Sequence, residues 1–328
     1  MQFRLKTIHG FLLFLFMTML NAQPQQKVAI VIHGGAGTIE KSKLTPELEK
    51  EYRSKLEEAL TIGHSILTEG GSSLDAVVST IAILEDSPLF NAGKGAVFTS
   101  DGHHELDASI MDGQSLNAGA VAGVKRIKNP ILLARTVMEK SPHVMLAGYG
   151  AEVFAKEQGF SFVENDYFFT EKRYEYWQKV IEGETGEAEK HGTVGCVALD
   201  QDGNLAAGTS TGGMTNKRFG RIGDSPIIGA GTYADNNSCG VSATGHGEYF
   251  IREVIAFKIC AKMELQGMSV DSAASSTIHG DLTTIGGTGG VIALDKNGNI
   301  SMPFNTAGMY RGYVGTDGKM EILIFKSD

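Results

Sequence analysis

The stretch Gly183-Glu184-Thr185-Gly186-Glu187-Ala188-Glu189-Lys190-His191-Gly192-Thr193-Val194-Gly195-Cys196-Val197-Ala198-Leu199 changes character at one peptide bond. Up to His191 it is polar and charged, with no apolar period, as an exposed and mobile linker would be. From Thr193 it is a short, β-branched and apolar run, which reads as a buried strand. A polar arm running straight into a buried strand, with no turn between them, is an unusual boundary. It is what a processing cut between Gly192 and Thr193 requires. The polar character begins earlier, so the linker is placed at about residues 161–192, with core periodicity absent after Ile181.

Outward on the N-terminal side, Val28–Ile32 (VAIVI) reads as a strand feeding the glycine loop His33-Gly34-Gly35-Ala36-Gly37. Pro46–Leu67 has helical periodicity, and Ser72-Ser73 caps a second helix that runs to about Leu84. Gly95–Ser100, Leu106–Met111 and Leu116–Val124 read as strands, Pro130–Glu139 and Ala147–Gln158 as helices. Beyond the boundary, Val197-Ala198-Leu199-Asp200-Gln201-Asp202-Gly203-Asn204 is echoed by Ile292-Ala293-Leu294-Asp295-Lys296-Asn297-Gly298-Asn299. Asp202-Gly203 and Asn297-Gly298 predict two-residue hairpin turns, hence two similar hairpins and two antiparallel sheets. Gly247–Leu265 reads as one long amphipathic helix, and Val270–Ile278 as another, N-capped by Ser269. Sheets in both halves, each with helices to cover it, point to a layered architecture.

The chain has 328 residues, 42% of them hydrophobic, which is ample for a core. Its formal net charge is −9, without a basic stripe, which argues against a nucleic-acid partner. The 42 glycines cluster in short runs such as Gly34-Gly35, Gly212-Gly213 and Gly286-Gly287, a pattern of tight turns and close backbone approach rather than of collagen. Arg4 and Lys6, the apolar Phe11–Leu20 and the small residue in Asn21-Ala22 read as an export signal over residues 1–22. Ten apolar residues do not span a bilayer, so a secreted or periplasmic protein without a membrane span is expected after signal removal. Three cysteines, Cys196, Cys239 and Cys260, are too few for a disulfide framework, although a single bridge stays open.

The usual catalytic signatures are missing: there is no G-x-S-x-G elbow, no phosphate loop and no dinucleotide fingerprint. His103-His104-Glu105 is a poor metal site, because neighbours on a strand point to opposite faces. What remains is a concentration of Thr, Gly and a few charges. The segments are His191–Gly195, Ser210-Thr211-Gly212-Gly213-Met214, Gly220-Arg221-Ile222-Gly223-Asp224-Ser225 and Ala243-Thr244-Gly245-His246-Gly247-Glu248. Each alone fits a turn of a β-rich domain. Together they offer hydroxyls beside backbone N–H groups, as an oxyanion hole needs, and two opposite charges three residues apart. Arg221 and Asp224 either grip the two ends of an amino-acid zwitterion or pair with each other.

In their order along the chain these segments resemble the plant-type asparaginases, also called isoaspartyl peptidases, of the N-terminal-nucleophile hydrolases. The resemblance runs from His33–Gly37 through Ser87-Pro88-Leu89-Phe90-Asn91-Ala92-Gly93, Glu105–Ala108, Met111–Gly113 and Gly192–Gly195 to Gly308-Met309. It implies an α+β fold, a four-layer αββα sandwich of two antiparallel sheets covered by helices. It also implies self-cleavage before Thr193 into an α subunit (23–192) and a β subunit (193–328) that remain one folded domain. A dimer of such αβ units is expected. Thr193 matches the nucleophile and, through the amine that cleavage frees, its own base. Thr211 matches the residue tuning it, Thr244 and Gly245 the oxyanion pair, and Asn91 an asparagine beside the nucleophile. Arg221 and Asp224 match the holders of the substrate α-carboxylate and α-amine, with Gly247 adding a carbonyl. Leu84, Glu85, Ser87, Phe90, Ala92 and Lys94 match a loop that binds structural sodium through backbone carbonyls; no cofactor is required for the chemistry. The implied substrates are asparagine and isoaspartyl dipeptides. Glycosylasparaginases share Gly220–Ser225 and Thr244–Glu248 but carry Asp before the nucleophile, where this chain has Gly192. Taspase-like proteolysis would need a long insertion absent here. An uncleaved binding protein on the same scaffold is the non-enzymatic alternative.

Overall fold

The computed structural model describes residues 27–184 and 192–328. The expected export signal at 1–22 and the end of the expected linker, 185–191, lie outside the described residues.

The first half opens with β1 (Ala29–Gly37), α1 (Pro46–Thr68) and α2 (Ser73–Glu85). It continues with β2 (Leu106–Asp112), β3 (Ala118–Val124), α3 (Pro130–Lys140), β4 (Met145–Ala147), α4 (Gly148–Glu157) and α5 (Glu171–Ile181). The second half holds β5 (Val194–Leu199), β6 (Leu205–Thr211), β7 (Thr232–Ala234) and β8 (Cys239–Gly245). Three helices follow, α6 (Gly247–Glu253), α7 (Ile255–Gln266) and α8 (Val270–Ser275). The chain ends with β9 (Gly289–Asp295), β10 (Ile300–Ser301), β11 (Gly308–Val314) and β12 (Met320–Phe325).

Two sheets result. One has eight strands in the order β12-β11-β1-β5-β6-β2-β3-β4, the other four in the order β10-β9-β8-β7. The period-two alternation of β1 shows how they stack. Ile30 and Ile32 enter the cluster with Leu56, Leu60, Val77 and Ile81 of α1 and α2. Ala29 and Val31 face the other way and join Val197, Ala207, Ile292 and Leu294 between the sheets. On the outer face of the small sheet, Val241, Ala243, Val291 and Ala293 pack against Ile255, Ile259, Ala273 and Ala274 of α7 and α8. The order is therefore helix, sheet, sheet, helix, as expected. Each fully buried aliphatic side chain contributes about 1.5–3 kcal/mol over leaving it in water.

Several expectations need correction. β4 pairs in parallel with β3, so the large sheet is not wholly antiparallel. Gly95–Ser100 forms no strand: it follows a 3₁₀ turn at Gly93–Gly95 and makes only a bridge from Thr99 to Lys217. Neither hairpin is a two-residue turn. Asp200 Oδ1 accepts from the N–H groups of Asp202 and Asn204, and Asp295 Oδ1 from those of Asn297 and Asn299. Each aspartate thus closes a longer loop, with glycine in the left-handed region at Gly203 (φ 81°) and Gly298 (φ 85°). The long helix expected over Gly247–Leu265 is two, broken at Val254 (φ 50°). The expected linker is ordered in its first part, where α5 stacks Trp177 on Phe98 with ring centroids 5.3 Å apart. All three cysteines are free and buried. Among the described residues no helix is long and apolar enough to cross a membrane.

Candidate active site

The ends of β1, β5, β6 and β8 and the loop after α2 converge on Thr193. That residue begins β5 from the side facing the small sheet, since Val194 points instead into the helix-covered core. Its Oγ1 donates to Thr211 Oγ1 at 3.0 Å, and Thr211, the last residue of β6, is buried. Thr211 Oγ1 also accepts from the Gly213 N–H, which fixes the turn that follows.

Asn91 clamps both sides of this pair. Its N–H donates to the Gly192 carbonyl at 2.9 Å, and its own carbonyl accepts from Gly212 N–H. Its side chain donates to Gly213 O at 2.7 Å and accepts from Val97 N–H. Gly192 adopts φ 114°, a region that only glycine enters without strain. A β-carbon there would lie 2.5 Å from Asn91 N, and a β-carbon on Gly35 would collide with the Gly192 main chain. Gly35 of β1 and Gly192, two residues before β5, therefore let backbone meet backbone at the Gly192–Thr193 bond. Thr244 ends β8 nearby and accepts from Ala36 N–H through Oγ1, so it shares β1 with the same junction. Gly245, next to it, is packed against Gly289 and Thr288 too tightly for a β-carbon.

A second centre gathers charge. A β-carbon on Gly247 would lie 2.7 Å from Asp224 Oδ1 and 2.8 Å from Arg221 Nη2, so these three residues surround one point. Arg221 does not pair with Asp224. Its Nε and Nη2 instead donate to the two oxygens of Glu248, each at 2.9 Å, a bidentate fork. Asp224 Oδ2 is buried without a partner, and burial pushes the carboxyl up to about 7. A buried carboxylate oxygen without a partner favours a cation beside it.

The end of α2 carries Leu84 and Glu85, and the loop after it Ser87, Phe90, Ala92 and Lys94. The carbonyls of Glu85 and Phe90 crowd Gly93 and Gly95, where β-carbons would overlap them. Carbonyl oxygens are the ligand type that a hard cation takes. The charge of Lys94 is no obstacle, since its Nζ reaches out to the carbonyls of Tyr167 and Phe169. The Glu85 carboxyl turns inward, accepts from Ser210 Oγ at 2.7 Å, and is pushed up to about 8 by burial.

Three groups near the site were not singled out from the sequence. Glu248 holds Arg221. Lys217, whose side chain is 2% exposed, lies 3.5 Å from Glu105 and near Gly213. Asp107, paired in register with Thr211, is buried and held above the usual carboxylate range by that burial. Only the register of β2 against β6 and the path of the 212–221 loop bring them here, and no local motif carries that. His103, His104 and Glu105 diverge: His104 is buried against Val97 O while Glu105 meets Lys125 and Lys217.

The chain is similar to known proteins along almost its whole length. The model of the family described as asparaginase matches residues 26–324. The isoaspartyl peptidase of Escherichia coli (strain K12) is 51% identical over 314 residues, covering 92% of this chain and 98% of that protein. The isoaspartyl peptidase/L-asparaginase of Xenopus laevis is 44% identical over 305 residues, covering 92% and 96%. The probable isoaspartyl peptidase/L-asparaginase 2 of Arabidopsis thaliana is 42% identical over 326 residues, covering 91% and 99%.

Proposed function

The chain belongs to the asparaginase family matched over residues 26–324, and from that premise we propose that it is an autoprocessing threonine amidohydrolase that releases aspartate from asparagine and isoaspartyl dipeptides. The observation that carries this reading is the Thr193–Thr211 hydroxyl pair, 3.0 Å apart, following a glycine whose carbonyl Asn91 holds. In self-cleavage Thr193 Oγ attacks the Gly192 carbonyl carbon, and the hydroxyl proton passes to the departing nitrogen. Water then hydrolyses the ester. The freed amine, with an ordinary pKa of about 8, becomes the base for the same hydroxyl. In turnover Arg221 holds the substrate α-carboxylate, and Asp224 with the Gly247 carbonyl holds the α-ammonium. Thr193 Oγ attacks the side-chain carbonyl. Thr244 and Gly245 receive the developing oxyanion. Ammonia or the dipeptide's second residue leaves, and water releases aspartate.

An assay of aspartate release from β-Asp-Leu, asparagine and a glycosylated asparagine tests the substrate class. The first two are expected to turn over faster; preference for the glycosylated substrate would overturn the reading. The carbonyl-lined loop from Leu84 to Lys94 supports a structural sodium site, which would brace Asn91. The basic and apolar N-terminus supports export by a signal at residues 1–22 to the periplasm or outside. The α and β subunits are read as staying together and pairing as a dimer of αβ units.

Two results are expected from this site. Gly192→Ala places a methyl group against Asn91 N and forces a left-handed conformation on alanine. Self-cleavage should slow by at least about tenfold, which is the rate effect of roughly 1.4 kcal/mol of strain; an unchanged cleavage half-time on a gel would refute it. The second concerns pH. Only ionised Asp224 attracts an ammonium, and burial holds this carboxyl up to about 7. Lowering the pH below that value protonates it, so KM for asparagine should rise about tenfold per pH unit and be flat above it. A KM independent of pH between 5 and 8 would exclude Asp224 as the ammonium holder.

A further inference from the structure

From the Thr193 carbonyl a file of buried polar side chains crosses between the two sheets. His33, fully buried at the end of the regular part of β1, places Nδ1 2.9 Å from the Thr193 carbonyl oxygen and Nε2 2.9 Å from Ser242 Oγ of β8. Ser242 Oγ lies 2.6 Å from Thr209 Oγ1 of β6, and Thr209 Oγ1 lies 2.6 Å from Thr232 Oγ1 of β7. Ser109 Oγ of β2 follows at 2.8 Å and also reaches Ser225 O, the residue after Asp224, at 2.6 Å. Histidine, serine and threonines here are all buried. Five strands of the large and small sheets are needed to assemble the file, and one glycine makes room for it. A β-carbon on Gly195 would overlap both Ser242 Oγ and His33 Nε2.

The protons in this file have one consistent order. A carbonyl oxygen only accepts, so His33 Nδ1 carries a hydrogen and donates it to Thr193 O. Burial pushes this imidazole down to about 3, so it is neutral at physiological pH and Nε2 is an acceptor. Ser242 must then donate to Nε2. Its single hydrogen being spent, it accepts from Thr209. Thr209 also approaches the Gly231 carbonyl at 3.1 Å, but the contact to Ser242 Oγ, at 2.6 Å, is the shorter and takes its hydrogen. Thr232 donates in turn to Thr209. The opposite tautomer would set the Nδ1 lone pair against the Thr193 carbonyl lone pairs at 2.9 Å, and it would reverse every hydroxyl behind it.

We propose that His33 is a positioning residue for Thr193, held as its Nδ1–H tautomer by the directed chain Thr232 to Thr209 to Ser242 to His33. The hydrogen bond to the Thr193 carbonyl fixes the main chain of the nucleophile, and with it the direction of Oγ1 and of the amine. At its far end the chain touches the main chain beside Asp224. It therefore sets the distance between the attacking group and the ammonium holder. The proposal rests on Thr193 being the nucleophile, so its test needs a readout that survives if that reading fails.

Nitrogen NMR of histidine-labelled protein supplies it. The His33 signals are assigned by their loss in His33→Asn, and the tautomer is read in both the wild type and Thr193→Ala. That substitution keeps the residue-193 carbonyl and needs no cleavage. A protonated Nδ1 with a bare Nε2 is expected in both; a protonated Nε2 in either overturns the proposal whatever the activity. The second arm is kinetic. Ser242→Ala removes the donor to Nε2 and should lower kcat on asparagine by about 10- to 100-fold, the effect of a misplacement of about an ångström. KM should stay within about twofold, since Arg221 and Asp224 are untouched. His33→Asn, whose amide restores a donor at the Nδ1 position, should retain more activity than His33→Leu. Equal loss in the two His33 variants, or an unchanged kcat in Ser242→Ala, would overturn the positioning role. Absence of a Thr193 N-terminus in the wild type would instead sink the nucleophile reading and leave the tautomer result standing on its own.

Discussion

Thr193→Ala is expected to give one uncut chain and no aspartate release from any of the three substrates. The loss should be complete on both counts, because one hydroxyl serves both reactions. It attacks the Gly192 carbonyl once and the substrate carbonyl in every turnover. Alanine keeps the backbone that His33 and Asn91 hold, and the methyl group fits where the threonine stood. Thr193 is only half-buried, so stability should change by no more than about 1 kcal/mol, as for a surface-proximal truncation. The fold therefore remains and the chemistry goes. Thr193→Ser retains a hydroxyl and should still cleave, more slowly, since serine lacks the second γ substituent that limits the hydroxyl's rotamers. Gel electrophoresis and N-terminal sequencing decide the first count, the aspartate assay the second. A pair of subunits from Thr193→Ala would remove the residue from the processing step.

How much of this was legible beforehand varied by element, for physical reasons. The start of β5 was readable because it is compositional: charge up to His191, a β-branched apolar run from Thr193. The four-layer order was what the family resemblance implied, and its parts were readable from apolar runs such as Val28–Ile32 and from capped, periodic helices. Ser72 does cap α2, accepting from Asp75 N–H. α5 escaped because only Arg173 in it is buried; its anchors are the Arg173 bond to Gly95 O and the rings of Tyr174 and Trp177 on Phe98, not an apolar stripe. The break at Val254 escaped because neither glycine nor proline marks it. A β-branched residue in the left-handed region is held there by its surroundings: its N–H caps α6 at Ile251 O and Phe250 O. At the site, Arg221 and Asp224 were readable from charge and spacing. Their actual partners were not. Glu248 meets Arg221 only after α6 folds back, and His33 meets Thr193 across 160 positions of sequence.

Arg221→Ala is expected to cost the most among substitutions that leave Thr193 intact. Nothing else among the described residues offers a guanidinium at the Gly247 notch, and a bidentate fork to a carboxylate is the strongest neutral-pH contact available there. Truncating one partner of a largely desolvated charge pair costs about 2–5 kcal/mol, so kcat/KM for asparagine should fall by roughly 30- to 4,000-fold. The loss should sit mainly in KM, because the α-carboxylate is gripped equally in the ground and transition states. Arg221→Lys should recover little, since a point charge cannot reproduce the fork. Glu248 sharpens the test. In the free protein it occupies the same guanidinium edge through two contacts of 2.9 Å. A substrate carboxylate must displace or share that edge, and Glu248, 46% exposed, also has its Oε2 3.2 Å from His246 Nε2. Glu248→Gln weakens the competitor without touching the fork, so KM should fall or hold while Arg221→Ala raises it. Steady-state kinetics on processed enzyme separate the two. If Glu248→Gln raised KM as steeply as Arg221→Ala, the glutamate would be orienting the arginine for substrate rather than competing with it.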